Sequence, residues 1–409
     1  MSDNTASEPA TQTNNNSNND CPCGSGFSYS DCCGAPGRNA LNAPSLAFLS
    51  PDGIEGEESL TTALKSSIDN ASLNPDLFPA RINYFERKAW FVKMSPQWYG
   101  ESVFLDPGRM KGTCVIGADL DWLQQTAERI AWQPTSYIFH TAFCGSTLMS
   151  QALSAVYDSL PVREPEVLGN LLVYLRSNAE PTDEHPGRIQ QVLNLLSRRY
   201  VPEQPVVVKA NDYANPFMPV LLDHQKAVPV LFMYTPFAEF LAGCLKADNR
   251  RQWIKQRFQA VQQFTSQVLS GEEGLQLEDD EFGKMAAVYW SYNVALFLQV
   301  QRAAPEQIRS LDFNTMLADP LAAVQCTATL FGLNARVDVN AQDEVDRLFG
   351  VYSKNSQFKY SPQQRNKDIV RILEANEQQL SAGEALAKKL LGNDYPEQGL
   401  PATIVDQSM

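Results

Sequence analysis

Apolar residues along this chain fall into short runs and helical repeats that alternate over most of its length. Four short runs predict buried strands: Ser136–Phe139, Val206–Val208, Val228–Met233 and Ile308–Phe313. Between them, apolar residues recur at helical spacing, as from Leu148 to Tyr157 and from Phe282 to Val300. Strands that alternate with helices indicate an α/β fold, in which a doubly wound parallel sheet carries helices on both faces.

The pattern ahead of this core is different, because its apolar runs are shorter and are separated by turn residues. Runs at Ala80–Phe85, Ala89–Val92 and Ser102–Leu105 predict the strands of a small sheet, and Asp119–Ile130 predicts a helix. A last helix is expected from Asp368 to Leu391. We therefore divide the chain into a disordered polar tail over 1–20, a cysteine-rich knuckle over 21–34, a linker over 35–72, a small β-containing subdomain over 73–130, the α/β domain over 131–395 and a tail over 396–409.

The overall charge limits the partners that the protein can have. Its 33 Lys and Arg residues are outnumbered by 47 Asp and Glu residues, which gives a formal net charge of −14. This excess argues against broad nucleic-acid binding, which depends on basic residues that neutralise phosphates. A small-molecule or nucleotide anion would need a locally basic pocket. No apolar stretch reaches membrane-spanning length and the N-terminus is polar, so we expect no membrane span and a cytoplasmic location.

Four of the eight cysteines lie in one short segment: Cys21, Cys23, Cys32 and Cys33. Thiolates are soft ligands, and four of them can converge on one tetrahedral zinc ion where glycines let the backbone turn tightly. The alternative is a redox-active or disulfide-paired tail. The run CPCGSGFSYSDCCG resembles the SEC-C motif, which implies a zinc knuckle that docks on a protein partner or on the ribosome. Phe27–Asp31 lacks the lysines usual in that family, which disfavours an anionic partner.

The segment Phe139–Leu148 joins the first core strand to the helix that follows it. A helix N-terminus presents unpaired amides and the positive end of the helix dipole, so it stabilises a bound anion. Gly145 permits close approach of the backbone, and Ser146 and Thr147 add hydroxyl donors. The loop contains no lysine and is therefore not a Walker A loop, which argues against ATP hydrolysis. The alternative is a capped helix that binds no ligand.

This strand, loop and helix resemble the phosphosulfate-binding loop of the P-loop sulfotransferases. Similar regions span roughly residues 130–365 and include the late strand and Asp-Pro helix start within Ile308–Pro320. The resemblance implies a sulfotransferase-type P-loop fold and sulfuryl transfer from 3′-phosphoadenosine 5′-phosphosulfate to a hydroxyl acceptor. Glu164 or Glu166 would match the general base that removes the acceptor's proton. The implied cofactor contacts in the loop are Cys144, Gly145, Ser146, Thr147 and Leu148.

Some positions depart from that family. Phe143 stands where the family's loop carries a Lys or Arg, and that residue stabilises charge during transfer. Lys209, which closes the second predicted strand, is the first candidate to replace this charge, and Arg163 is the second. The alternative for Lys209 is a structural salt bridge to Glu164 or Glu166, because a lysine that closes a buried strand needs an anion or an acid partner.

The residues that would hold the cofactor's 3′-phosphate also differ, since Tyr234 and Ala242 replace the family's Arg and Ser. The remaining candidates for this end of the cofactor are Thr235 and Lys246. In that family a late basic loop closes over the cofactor, and Lys354, Lys359 and Arg365 are the candidates for it here; the alternative is a solvated surface loop. The basic stretch Arg250–Arg257 is typical of a solvated helix face with Trp253 packed inward, or alternatively of a phosphate channel. These departures leave open a second hypothesis: a non-catalytic binding protein that keeps the fold and reaches a partner through the zinc knuckle.

We expect the purified full-length protein to contain zinc at the knuckle, because thiolates hold this ion tightly at neutral pH. The Cys21→Ser, Cys23→Ser double variant should lose that zinc, as measured by inductively coupled plasma mass spectrometry. Cys326→Ser is the matched control and should keep it. Unchanged zinc content in the double variant would contradict the knuckle.

Overall fold

The computed structural model of the protein describes residues 48–50, 53–55, 75–105, 115–177, 182–225, 227–269, 275–352, 355–359 and 361–405. The four cysteines of the predicted knuckle and Lys354 lie outside these residues. Within the described ranges, no three His, Cys, Asp or Glu side chains gather into a group that could hold a metal ion. The helices of the same ranges are all too short or too polar to cross a bilayer.

The described chain forms two larger sheets, a two-stranded hairpin and a set of helices. The strands in chain order are β1 (Phe48–Ser50), β2 (Gly53–Glu55), β3 (Leu77–Asn83), β4 (Lys88–Lys93), β5 (Val115–Asp119), β6 (Thr135–His140), β7 (Leu160–Arg163), β8 (Val206–Lys209), β9 (Val230–Tyr234), β10 (Ile308–Asp312), β11 (Val351–Tyr352) and β12 (Asn355–Lys359). The helices are α1 (Pro96–Glu101), α2 (Leu120–Glu128), α3 (Ser146–Val156), α4 (Glu166–Ser177), α5 (His185–Leu196), α6 (Phe217–His224), α7 (Phe237–Leu245), α8 (Asp248–Val261), α9 (Thr265–Val268), α10 (Phe282–Ala303), α11 (Phe313–Ala318), α12 (Pro320–Phe331), α13 (Ala341–Phe349), α14 (Pro362–Glu374) and α15 (Glu377–Leu391).

The larger domain is built on a parallel sheet of five strands in the order β10-β9-β6-β8-β7. The chain leaves the middle strand, β6, towards β7 on one side, and after β8 it crosses to β9 on the other side. The connections that leave β6 and β8 therefore run in opposite directions along the sheet, and the strand order reverses between β6 and β9. Ligands of open α/β sheets bind beyond the carboxyl ends of the strands at such a point. The prediction of an α/β fold with a parallel sheet is confirmed.

Burial explains which strands the apolar pattern could predict. All residues of β6, β8 and β9 are buried, so these strands appear in the sequence as continuous apolar runs. The four-residue strand β7 was missed, because Pro161 and Arg163 interrupt its apolar run. Its place at the edge of the sheet accommodates the proline, since an edge strand leaves some of its amides unpaired.

The predicted C-terminal helix is in fact two helices, α14 and α15. They are separated at Asn376, whose backbone φ of −133° lies outside the helical region. The Asn376 side-chain amide donates to the Ile372 carbonyl at 2.7 Å and so takes up an acceptor at the end of α14. Asparagine competes with helix continuation through such local hydrogen bonds, and an apolar periodicity does not reveal this.

The second sheet has the strand order β2-β1-β5-β4-β3, and only its β1–β5 pair is parallel. Two of the three predicted N-terminal runs fall on β3 and β4. The third prediction, a strand at Ser102–Leu105, is wrong. Arg163 of the parallel sheet binds this backbone instead: its Nη1 donates to the Ser102 carbonyl at 2.7 Å, and its carbonyl accepts from the Leu105 amide at 2.7 Å.

One hydrophobic core extends through both larger sheets. It includes Phe91 of β4 and Leu123 of α2 as well as Phe139 of β6 and Val208 of β8. Burial of this apolar surface is the main favourable contribution to folding. The N-terminal sheet is therefore packed against the domain that carries the candidate site.

Arg163 links the parallel sheet to α3, to α1 and to the segment after α1. It is 1% exposed, and burial lowers the pKa of its guanidinium to about 10. None of the carboxylates in the described ranges forms an ion pair with it. Its guanidinium donates instead to hydroxyl and carbonyl oxygens of α3, α1 and the segment after α1: Ser150, Ser154, Tyr99, Gly100 and Ser102. This arrangement explains why Arg163 is not available to a ligand.

We expect Arg163→Ala to lower the free energy of unfolding by about 3 kcal/mol, because it leaves several buried oxygens without a donor. Urea denaturation followed by circular dichroism measures the change. Arg302→Ala is the control. Arg302 forms an exposed pair with Asp394, whose loss should cost less than about 1 kcal/mol. Equal losses for the two variants would contradict the structural role of Arg163.

Candidate active site

The turn between β6 and α3 has an unusual backbone path. Ala142 and Phe143 have positive φ values of 71° and 54°, and Gly145 has 74°. Non-glycine residues seldom adopt this region, and such strain persists only where the surroundings maintain it. His140, the last residue of β6, contributes to this: its Nδ1 accepts a hydrogen bond from the Ala142 amide at 3.0 Å. The loop is thus held in shape by a buried imidazole.

The amides of this loop are available to a ligand. No oxygen of the described residues accepts a hydrogen bond from the amides of residues 143–147. Ser146 and Thr147 open α3, and the first amides of any helix lack a carbonyl partner. Thr147 is 5% exposed, and its hydroxyl has no hydrogen-bond partner in the part of the chain that the structure describes. These donors and the helix dipole together favour an anion.

Two of the five predicted loop contacts direct their side chains into the core. Cys144 is buried, and its thiol donates to the Met233 carbonyl at 3.3 Å. Burial raises the pKa of this thiol to about 11, so it stays protonated and is no nucleophile at neutral pH. Leu148 belongs to the hydrophobic cluster on the same side of the sheet. Both residues can offer a ligand only their backbone.

Gly145 is required by packing within the protein. A Cβ atom at this position would lie 2.4 Å from Cε2 of Phe313 and 2.6 Å from Cε of Met316. Both residues belong to α11, which begins directly after β10. The loop and α11 therefore approach more closely than any side chain would allow. Approach by a ligand is not needed to explain this glycine.

Charged groups meet at the carboxyl ends of three adjacent strands. Lys209 ends β8 and is fully buried, and its Nζ forms an ion pair with Oε1 of Glu164, which follows β7. The same Nζ lies 3.1 Å from Nε2 of His140 at the end of β6. The Glu164 side chain is 21% exposed, so the pair has one buried and one accessible partner. The salt bridge considered for Lys209 is therefore present, and it is made with Glu164.

The backbone holds this pair in position. Glu164 has a φ of 56°, and its amide donates to the Lys209 carbonyl at 2.6 Å. Because Nδ1 of His140 accepts from the Ala142 amide, a neutral imidazole carries its proton on Nε2, which lies 3.1 Å from the Ala210 carbonyl. The imidazole thereby connects the strained loop to the end of β8.

The structure separates the two candidate bases. Glu166 begins α4 and pairs with Nε of Arg81 in β3 at 3.0 Å, away from Lys209. The Asn170 side chain also donates to Glu166 at 3.4 Å. Glu166 therefore links α4 to the N-terminal sheet. Glu164 is the carboxylate that the fold brings to the carboxyl edge beside the loop.

Two of the predicted cofactor contacts share an acidic partner. The Thr235 hydroxyl donates to Oε2 of Glu239 at 2.9 Å, and Arg365 forms an ion pair with the same oxygen. Oε1 of Glu239 accepts from the Asn314 side chain at 2.6 Å. The Cζ atom of Arg365 also lies 4.6 Å from the ring centroid of Phe313. A phosphate at this position would have to displace Glu239 from Arg365.

The other predicted contacts near β9 differ in their exposure. Lys246 is half-exposed and pairs with Asp368 of α14 at 3.3 Å. Tyr234 is buried, and its hydroxyl accepts from the Leu400 amide at 2.9 Å. Burial raises the pKa of the Tyr234 phenol to about 12, so it stays neutral. Ala242 is buried in α7. Among these residues only Lys246 is accessible as a cation.

The surroundings of Phe143 could not be deduced from the sequence. Its ring packs against Trp253 of α8 and Phe240 of α7, with centroids 5.0 Å and 5.9 Å away. The Cζ atom of Arg250 lies over the same ring, 4.8 Å from its centroid. Trp253 is thus packed inward, as its pattern predicted, whereas the Arg250 side chain lies against Phe143 of the loop. His140 is a hydrogen-bonded, buried histidine at a strand end, as its position predicted, but the sequence did not reveal that it would bind the Ala142 amide and the Ala210 carbonyl.

Comparisons with known proteins found similarity only among solved structures. No family model matches the chain, and no curated protein matches it. Sulfotransferase STF1 from Mycobacterium tuberculosis H37Rv is 12% identical, with 64% of this chain and 82% of that chain covered at a TM-score of 0.36. Sulfotransferase STF9 from Mycobacterium avium is 10% identical, with 61% and 79% covered at a TM-score of 0.35. The sulfotransferase domain from the curacin biosynthetic pathway is 10% identical, with 60% and 99% covered at 0.32. Similarity at this level establishes neither a family nor an activity.

We expect Glu164→Gln to destabilise the protein by about 3 kcal/mol, because it leaves the buried Lys209 ammonium without a counter-charge. Lys209→Met should cost less, since it removes the buried charge and leaves a carboxylate that water can reach. The double variant should be close to Lys209→Met alone. Urea denaturation of the four proteins gives the coupling energy. A greater loss for Lys209→Met than for Glu164→Gln would contradict this description of the pair.

Proposed function

We propose that the protein is a sulfotransferase-like enzyme that transfers a sulfuryl group from 3′-phosphoadenosine 5′-phosphosulfate to an acceptor hydroxyl. The observation that carries the proposal is the arrangement at the carboxyl edge of the parallel sheet. Residues 143–147, whose amides have no oxygen acceptor among the described residues, follow β6, while Lys209 ends the adjacent β8 and Glu164 follows β7. An anion site and a carboxylate therefore lie together at the carboxyl ends of these strands. The resemblance of the loop sequence supports the identity of the donor.

The phosphosulfate end of the donor fits the residues at the loop. Its oxygens are acceptors only, and the loop offers backbone amides, the Thr147 hydroxyl and the positive end of α3. Amides at a helix start bind such oxygens without basic side chains, and so the absence of a lysine from the loop is compatible with binding.

The 3′-phosphate end fits less well. Tyr234 and Ala242 are buried and cannot hold a phosphate. Lys246 could exchange Asp368 for a phosphate at small cost, because an exposed pair contributes about 1 kcal/mol or less. Arg365 would have to leave Glu239 in a largely buried network, which costs more. Lys246 is therefore the cation that we assign to this end.

The residues at the strand ends suit general-base chemistry. When bound, the nucleotide supplies the sulfuryl group and leaves as adenosine 3′,5′-bisphosphate. Glu164 would accept the proton of the acceptor hydroxyl as its oxygen bonds to sulfur, and the partial exposure of Glu164 gives the acceptor access to it. Lys209 fixes the orientation of the Glu164 carboxylate. Positioning and charge stabilisation then contribute most of the rate acceleration.

Labelled 3′-phosphoadenosine 5′-phosphosulfate tests the proposal directly. We expect the full-length protein to release sulfate slowly without an acceptor, and adenosine 3′,5′-bisphosphate to raise its melting temperature, because ligands that bind only the native state stabilise it. Glu164→Gln should lower turnover by about 100-fold or more while nucleotide binding persists.

Glu166→Gln is the matched comparison, because it removes a carboxylate two positions away that is held by Arg81. It should retain turnover. Circular dichroism at the assay temperature verifies that both variants are folded. Absence of both turnover and thermal stabilisation in the wild-type protein would overturn the proposed function, and equal turnover of the two variants would remove Glu164 as the base.

A further inference from the structure

The loop from His140 to Thr147 presents donors to an anion but carries no lysine or arginine of its own. Amides and a helix dipole offset only part of the charge on a phosphate-type group, since the dipole is equivalent to roughly half an elementary charge. A cation from elsewhere in the fold would neutralise more of this charge and strengthen binding. The arginines and lysines at the carboxyl edge of the sheet are the source to consider.

Most of these cations are already paired with a carboxylate of the protein. Lys209 pairs with Glu164, Arg257 with Asp212, and Arg365 with Glu239. The side chains of each pair are largely buried. Separating a pair would therefore leave an unpaired buried charge, which is costly. Such cations contribute little net positive charge to a ligand.

Arg250 is different. No carboxylate in the described part of the chain forms an ion pair with it, although it lies on α8 beside the loop. Within the described residues, its guanidinium makes one hydrogen bond, from Nη1 to the Gly243 carbonyl at 3.1 Å. A guanidinium has five N–H donors, so most of those of Arg250 remain for an oxyanion. The net charge of this residue is therefore not neutralised by the protein.

The loop itself positions Arg250. Its Cζ lies 4.8 Å from the centroid of Phe143, so the cation is held over an aromatic face that belongs to the loop. Phe143 is fixed in turn by Trp253 and by Gly243, where a Cβ would lie 2.9 Å from Cγ of the Phe143 ring. Phe143 thus serves as a platform that holds a guanidinium next to the anion-binding turn.

We infer that Arg250 is the residue that supplies positive charge to the 5′-phosphate-type group bound by the loop amides. The inference rests on the proposed function and extends it, because it names the cation and the end of the nucleotide that it contacts. A planar guanidinium is well suited to this task, since it can donate two parallel hydrogen bonds to the oxygens of one phosphate or sulfate group.

A purely structural role is the competing explanation. Gly243 lies in the last turn of α7, and Arg250 could serve only to occupy that carbonyl and to cover Phe143. The two explanations differ in their dependence on the ligand. A structural role affects every nucleotide alike, whereas a charge contact depends on whether the ligand has a 5′-phosphate.

Isothermal titration calorimetry with two nucleotides separates these roles. Adenosine 3′,5′-bisphosphate carries the group that binds the loop, and adenosine 3′-monophosphate lacks it. We expect Arg250→Ala to weaken binding of the bisphosphate by about tenfold or more, the loss typical of a hydrogen bond to a charged group. Binding of the 3′-monophosphate should change by less than about twofold. Arg251→Ala, which removes the neighbouring arginine paired with Asp248, should leave both affinities unchanged.

Arg250→Gln repeats the comparison with a side chain that still donates hydrogen bonds but has no charge, in case the alanine variant does not fold. Bisphosphate affinity equal to that of the wild type in either folded variant would overturn the inference, as would equal weakening of both nucleotides. Failure of the proposed function gives a different result: the wild-type protein and Arg251→Ala would bind neither nucleotide.

Discussion

The candidate site depends on a single buried ammonium group at the carboxyl ends of the parallel strands. Lys209 is fully buried where a central strand ends, and an unpaired charge there would cost several kcal/mol. It pairs with Glu164, whose backbone has a positive φ of 56°. His140 lies within 3.1 Å of the same Nζ and holds the strained loop through Ala142. Lys209 thus joins the ends of β7 and β8, and His140 joins the end of β8 to the loop after β6 through the Ala210 carbonyl.

The loop after β6 owes its shape to packing on both of its sides. On one side α11 comes so close that only glycine fits at position 145, where Phe313 leaves no room for a Cβ. On the other side Phe143 is part of an aromatic cluster with Phe240 and Trp253. The backbone amides between these contacts have no oxygen acceptor in the described structure. Apolar packing therefore holds the polar loop of the candidate site in one conformation.

The acidic character of the chain is visible in the site itself. Glu239 and Asp368 neutralise Arg365 and Lys246, the two described cations that the sequence suggested for the 3′-phosphate. A ligand at this end competes with carboxylates that are already in place, and the cost depends on burial. The exposed Lys246 pair opens at little cost, whereas the network around Glu239 resists. The two ends of the site therefore differ: the loop end offers free donors, and the other end offers donors that are already engaged.

The pattern of apolar and polar residues was enough to predict the class of the fold and the position of the loop. The continuous apolar runs of β6, β8 and β9 are visible because all their residues are buried, and a glycine followed by two hydroxyl residues marks the start of α3. Which of two nearby carboxylates pairs with Lys209 could be seen only in the folded chain. The Glu164 side chain is directed towards Lys209, whereas the Glu166 side chain is directed towards Arg81 of the N-terminal sheet. The tertiary structure also decided that Arg250 returns to Phe143 across more than a hundred residues of chain. Local periodicity reports burial, whereas the partners of a charged side chain depend on which strands and helices become neighbours in space.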